Sequence, residues 1–278
     1  MSDSDISAAL AGTITLGDLQ VSRLGIGTNR ITDTPQGQAL LRRAVELGVN
    51  FIDTAYVYQN GASETAIGNT LAPYAPGLII ATKGGLGPDG PEGRPEQLRD
   101  NLEHSLRRLR TDCIEIYQLH RLDPHVPIGE SVAALKQFQD EGKIKHIGLS
   151  EVNVDELETA IRIAPIVSVQ NEYNVANRKH EDLLTYCTDH EIAFIPWFPL
   201  GGLRGDTAKV EKMVAAMAEK YQSSSQQIAL AWLLKRSKVM LPIPGTTSIE
   251  HLEANLRAAA IQLSDEDYDQ LREARPES

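Results

Sequence analysis

Short apolar runs alternate with amphipathic helical stretches along nearly the whole chain. This alternation leaves few folds open. The runs are Leu24–Gly27, Phe51–Ile52, Leu78–Thr82, Ile114–Leu119, Ile144–Leu149, Ile166–Val169, Ile192–Ile195 and Val239–Leu241. Between them lie helical patterns at Gln38–Gly48, Ser63–Leu71, Pro95–Leu109, Ile128–Glu141, Val154–Ala164, Arg178–His190, Ala208–Lys220 and Ser225–Lys235. Ile249–Ala259 follows the last run, and a short helix starts at Asp265. Leu98, Leu102, Leu106 and Leu109 share one helical face, with Pro95 in the first turn. Asn153 and Glu156 have capping-box spacing. Strands separated by helices pair in parallel through right-handed crossovers. The count of eight runs, without a Gly-x-Gly-x-x-Gly fingerprint, favours a closed (β/α)8 barrel (the TIM barrel) over an open doubly wound sheet. Thr13–Leu16, Gly17-Asp18 and Leu19–Ser22 read as a hairpin ahead of the first barrel strand. One barrel of about 250 residues accounts for the chain, so residues 1–278 are expected to form a single domain.

The charge of −11 argues against nucleic acid as a partner, because phosphate binding needs a basic face. Cys113 and Cys187 are too few for a disulfide framework, and Cys113 reads as a small core residue. The first residues carry neither a basic segment followed by an apolar one nor a membrane span. The expectation is a cytoplasmic protein acting on small molecules, with no nucleic acid or membrane partner, as a monomer or weak homo-oligomer.

The chemistry gathers at strand ends. Asn50–Gly68, reading NFIDTAYVYQNGASETAIG, closes a short strand on Asp53 and places Tyr58 on the loop beyond it. Lys83 and His120 follow two later runs. In a (β/α)8 barrel these ends and loops build one site. Taken singly, each residue has a plain structural reading: a helix cap, a surface aromatic, a packed histidine. Together at successive strand ends they form a proton-donating set. A tyrosine gives up a proton readily only where a nearby cation stabilises the phenolate left behind. Lys83 is the candidate cation, Asp53 its holder, and His120 a group that orients a substrate oxygen. No His-x-x-x-His pair, paired cysteines, Gly-x-Ser-x-Gly elbow or Walker loop offers a competing chemistry.

NFIDTAYVYQNGASETAIG, IIATKGG, YQLHRLD, GLSEV and IPGTTSIEHLEAN, in that order, resemble the aldo-keto reductase family. The resemblance implies a (β/α)8 barrel with the hairpin on its floor, reducing carbonyls with NADPH, with NADH possible. It implies a catalytic set of Asp53, Tyr58, Lys83 and His120. Ser150 and Gln170 match residues that hold the nicotinamide carboxamide. Glu151 stands where the family often has Asn and receives no role. Trp197 matches an aromatic that stacks on the nicotinamide ring, and Phe198 replaces a usual Ser. Leu200, Gly201 and Gly202 begin a loop that would wrap the pyrophosphate. Thr246, Thr247 and Ser248 offer an anion site or helix caps. Asn255 matches an adenine contact. The two usual 2′-phosphate cations fall on Gly245 and His251, so the preference for NADPH should be reduced. Gly27, Thr28 and Asn29 fall beside the cofactor. Asn29 and Arg121 stand at two positions often aromatic in the family, and the tail after Leu263 is short. The pocket should therefore be open and polar, lined by Tyr58, His120 and Arg121. Two other readings remain: a cofactor-binding regulatory subunit of the same fold with little turnover, and a barrel lyase or isomerase.

Overall fold

The structure, a computed structural model, describes residues 6–201 and 208–274. The hairpin comes first: β1 (Thr13–Leu16) pairs antiparallel with β2 (Leu19–Ser22). The barrel then runs β3 (Ile26–Gly27), α1 (Pro35–Glu46), β4 (Phe51–Asp53), α2 (Ala62–Leu71) and β5 (Ile79–Gly84). A two-rung hairpin, β6 (Leu86–Gly87) and β7 (Gly90–Pro91), follows on that rim. The order continues α3 (Pro95–Leu109), β8 (Ile114–Leu119), α4 (Ile128–Asp140), β9 (Ile144–Ser150), α5 (Val154–Ile161), β10 (Ile166–Glu172), α6 (Glu181–Asp189) and β11 (Ala193–Trp197). Four helices complete it: α7 (Ala208–Lys220), α8 (Ser225–Arg236), α9 (Ile249–Arg257) and α10 (Asp265–Glu273).

Seven strands lie in the order β11-β10-β9-β8-β5-β4-β3, all parallel. The eighth run does not form a strand of its own, contrary to the sequence expectation. It makes one parallel bridge, Met240 to Phe194. Pro242 and Pro244 explain this, because neither has an N–H to donate to a ladder. The segment still closes the barrel. Phe194 N–H donates to Val239 O at 2.8 Å, Leu241 N–H to Phe194 O at 2.9 Å, and Gly25 N–H to Pro242 O at 3.0 Å. The fold is a (β/α)8 barrel.

The hairpin sits at the N-terminal ends of the strands. Asp18 in its turn meets Lys145 at 2.7 Å and His146 at 2.6 Å, and Ser22 N–H donates to Asn50 just before β4. This is the barrel floor, so the opposite rim is free to carry a site.

Local chemistry sets the helix boundaries. Thr34 caps α1, whose first residue is Pro35, so this helix starts earlier than its apolar pattern. Asn153 and Glu156 form the expected capping box of α5, and Ser224 with Gln227 forms a second on α8. The leucine face of α3 is buried. Cys187 is buried, whereas Cys113 is half-buried rather than a core residue.

Candidate active site

Strand register gathers the polar residues. Asp53 lies opposite Ala81 in β5, and Lys83 lies opposite Gln118 in β8. Alternate residues of a strand share a face, so Lys83 stands one step beyond the rung that pairs with Asp53. Lys83 is fully buried. Its Nζ donates to Asp53 Oδ2 at 2.6 Å and Thr54 O at 2.7 Å, and lies 3.4 Å from Tyr58 Oη. Burial alone would lower the basicity of this ammonium. Asp53, then Tyr58, outweigh it and hold the Lys83 pKa above its ordinary value. A buried cation with these partners stays charged.

Asp53 uses both oxygens. While Oδ2 takes Lys83, Oδ1 accepts Gln118 Nε2 at 3.1 Å and Gln170 Nε2 at 2.9 Å. Gln118 is the member that sequence reading missed. The signal was there, since Gln118 precedes His120 by two positions and so shares its strand face.

Tyr58 opens a short turn whose next residues, Gln59 and Asn60, take left-handed conformations. Tyr56 N–H donates to Lys83 O at 2.9 Å, and Gln59 Nε2 to Asn29 O at 2.9 Å, which helps to fix this loop. The Tyr58 ring meets His120 edge-on at 5.8 Å between centroids. Burial, then the charges of Lys83 and Arg121, push the His120 pKa well below the ordinary imidazole value. The imidazole is therefore neutral at neutral pH.

The four residues meet at one cavity of about 550 Å³ on the C-terminal rim, where Asp53, Tyr58 and His120 line the wall and Lys83 lies behind it. Gly27, Thr28, Asn29, Arg121, Gln170, Trp197, Phe198 and Leu200 line the same cavity. The Thr28 hydroxyl is already committed to Asp53 O and Ser63 Oγ, so it braces the site. Arg121 Nη1 donates to His120 O at 2.7 Å and Ser150 Oγ at 3.1 Å, with its guanidinium 6.0 Å from the Trp197 ring centre. A Cβ on Gly27 would stand 2.8 Å from Ile243 O, and one on Gly201 2.2 Å from the Phe198 ring, so both close approaches need glycine. Gly202 lies outside the described residues.

The remaining predicted residues are not on the cavity wall. Thr246 Oγ1 accepts from Ser248 N–H at 3.1 Å, and Ser248 Oγ caps α9 by accepting from His251 N–H at 3.3 Å. Asn255 is buried in α9, and Gly245 is the part of this segment that lines the cavity. Beside it is a cation that sequence reading missed, Arg30, whose Nη2 donates to Gly245 O at 2.9 Å.

Comparison with known proteins identifies the family. The profile of the aldo/keto reductase family matches residues 23–276. An uncharacterized oxidoreductase of Schizosaccharomyces pombe is 45% identical, over 97% of this chain and 92% of its own length. Pyridoxine 4-dehydrogenase of Escherichia coli is 36% identical, over 92% of this chain and 96% of its own. Among solved structures, an aldo-keto reductase from Klebsiella pneumoniae in complex with NADPH superposes with a TM-score of 0.81 at 30% identity, covering 93% of each chain. A thermostable aldo-keto reductase in complex with epalrestat gives 0.86 at 31%, covering 94% of this chain and 99% of its own. The chain belongs to the aldo/keto reductase family and is an oxidoreductase.

Proposed function

We propose that this chain reduces small aldehydes and ketones with NADPH, and with NADH less well, using Tyr58 as the proton donor. The observation that carries the reading is the Asp53–Lys83–Tyr58 chain beside a neutral His120 at one cavity. When bound, the reduced nicotinamide supplies the hydride to the carbonyl carbon. Tyr58 Oη gives the proton to the carbonyl oxygen, and the fixed charge of Lys83 stabilises the phenolate that remains. Asp53 keeps that ammonium charged and in place. The neutral imidazole of His120 orients the carbonyl oxygen.

The residues fit a dinucleotide. Gln170 spends its amide N–H on Asp53, which leaves its Oε1 to accept from a carboxamide. Ser150 stands beside it in register on β9, and the Trp197 ring forms a flat wall. Gly27, Gly201 and Gly245 leave room where side chains would intrude, and Arg30 brings a positive charge to the rim. By the family resemblance, Leu200 to Gly202 take the pyrophosphate, and Thr246, Thr247, Ser248, His251 and Asn255 take the adenosine end. The substrate class is polar carbonyls, because Arg121 and Asn29 face the cavity where bulky apolar walls would otherwise stand. Pyridoxine and its 4-aldehyde are the first pair to try, on the likeness to pyridoxine 4-dehydrogenase.

The test is a carbonyl panel followed by the absorbance of reduced cofactor, with the pyridoxine 4-aldehyde, an anionic aldehyde and a neutral aliphatic one. Turnover of the polar members supports the reading. Tight NADPH binding with no turnover of any member would replace it with a cofactor-binding regulatory role.

A further inference from the structure

Glu151 follows Ser150 at the end of β9, at φ +56. A left-handed conformation is uncommon for a residue other than glycine. Here it carries the side chain across to the neighbouring strands. Glu151 Oε1 accepts the Trp197 indole N–H at 2.6 Å and the Glu172 backbone N–H at 2.9 Å. A carboxylate bond to an indole N–H is charge-assisted, stronger than a neutral one, and fixes the ring. Trp197 is the aromatic wall of the cavity, next to Gln170.

We propose that Glu151 positions the Trp197 indole and, through its charge, makes this wall hold oxidised nicotinamide more tightly than reduced. The inference rests on the dinucleotide reading of the cavity. Oxidised nicotinamide carries a positive ring, whereas the reduced ring is neutral. An aromatic face attracts a cation. A carboxylate on the far edge of that aromatic adds to the attraction, and no such gain exists for the neutral ring. By linkage, the bias favours hydride transfer from the bound reduced ring to the carbonyl and slows release of the oxidised form. The other charges nearby do not confound the comparison. Arg121, 6.0 Å from the indole centre, and Glu172, 3.8 Å from Lys179, are the same in wild type and variants.

Glu151→Gln separates the two roles, since its amide oxygen can still accept both N–H groups but carries no charge. The measurement is the equilibrium Kd of NADP⁺ and of NADPH, by fluorescence titration without substrate, for wild type, Glu151→Gln and Glu151→Asp. For Glu151→Gln we expect NADP⁺ binding to weaken about three- to tenfold, the scale of a partly desolvated cation–aromatic contact. NADPH binding should change by less than about twofold, since a neutral ring has no charge for the carboxylate to attract. Glu151→Asp keeps the charge and should keep the wild-type ratio of the two constants. Should Glu151→Gln fail to fold, the wild type still decides: NADPH bound as tightly as NADP⁺, or more tightly, refutes the charge role. Equal weakening of both forms in Glu151→Gln, or no change in either, overturns the proposal while leaving the dinucleotide reading intact. If wild type binds neither dinucleotide, both fall together.

Discussion

The Arg108 guanidinium on α3 lies 3.2 Å from Glu64 Oε2 on α2 and donates to the Tyr56 carbonyl at 3.1 Å. Glu64 is fully buried, and its other oxygen accepts the Thr82 hydroxyl at 2.6 Å, one residue before Lys83. The guanidinium also covers the Tyr56 ring at 4.9 Å. Gly61 is needed here because a Cβ would stand 2.2 Å from Arg108 Cζ. One ion pair thus ties two helices and β5 to the loop that presents Tyr58.

Arg108→Ala removes the partner of a buried carboxylate. A buried ion left unpaired is costly, but Arg108 is 24% exposed, so water can take part of its place. The expected loss is about 1–3 kcal/mol, read from urea midpoints. Because the Tyr56 carbonyl is also released, kcat should fall while NADPH affinity holds. Arg108→Lys should recover part of the stability but less of the activity, as an ammonium cannot serve Glu64 and Tyr56 with a planar fork. Equal recovery of both would remove the positioning role.

Tyr58→Phe deletes the phenolic oxygen and leaves the ring against His120. General acid catalysis contributes at least about a hundredfold, so kcat should fall by that much. Cofactor affinity should barely change, since Tyr58 lies on the proton side of the site. Near-normal reduction of a reactive aldehyde by this variant would exclude Tyr58 as the donor.

Asp53, Tyr58, Lys83 and His120 were legible in the sequence because each follows an apolar run, and barrel topology sends such ends to one rim. The closure of the barrel was less so. Val239–Leu241 has strand composition, but Pro242 and Pro244 cut its ladder to one bridge. Gln118 and Arg30 were passed over for opposite reasons: one is a polar residue inside a strand, the other an ordinary surface charge until Gly245 is folded against it. Glu151 had no readable role because its partner, Trp197, is distant in the chain and meets it only through a left-handed turn. The hydroxyls of Thr246 and Ser248 fit both a phosphate site and caps; in the structure Ser248 caps α9, and Thr246 accepts the Ser248 N–H in a local side-chain turn.

Arg121 forms part of the cavity wall with its charge directed at Ser150 and the His120 carbonyl. A guanidinium there attracts a carboxylate or phosphate on a substrate. Arg121→Ala should lower kcat/KM for an anionic aldehyde about tenfold or more relative to a neutral one, the scale of one lost charge-assisted bond. An unchanged ratio between the two substrates would make Arg121 a structural tether of β9.

Asp267, in the first turn of α10, fastens that helix to the end of α7. Oδ1 accepts Lys220 Nζ at 2.7 Å, while Oδ2 accepts Tyr221 Oη at 2.5 Å and the hydroxyl of the cap residue Ser264 at 2.7 Å. The bonds from Lys220 and then Tyr221 hold this carboxyl at about 2, below the ordinary 3.8. The folded pKa is depressed, so the unfolded chain binds the proton more readily. Stability from this group is therefore fully present above about pH 4 and is lost as pH falls toward about 2. Asp267→Asn cannot ionise and should be less stable than wild type at neutral pH. The gap between their urea midpoints should be widest at pH 7, hold down to about pH 5, and shrink between pH 4 and 3. A gap that grows on acidification, or stays constant through that window, would show that the carboxylate is not what fastens α10 to α7.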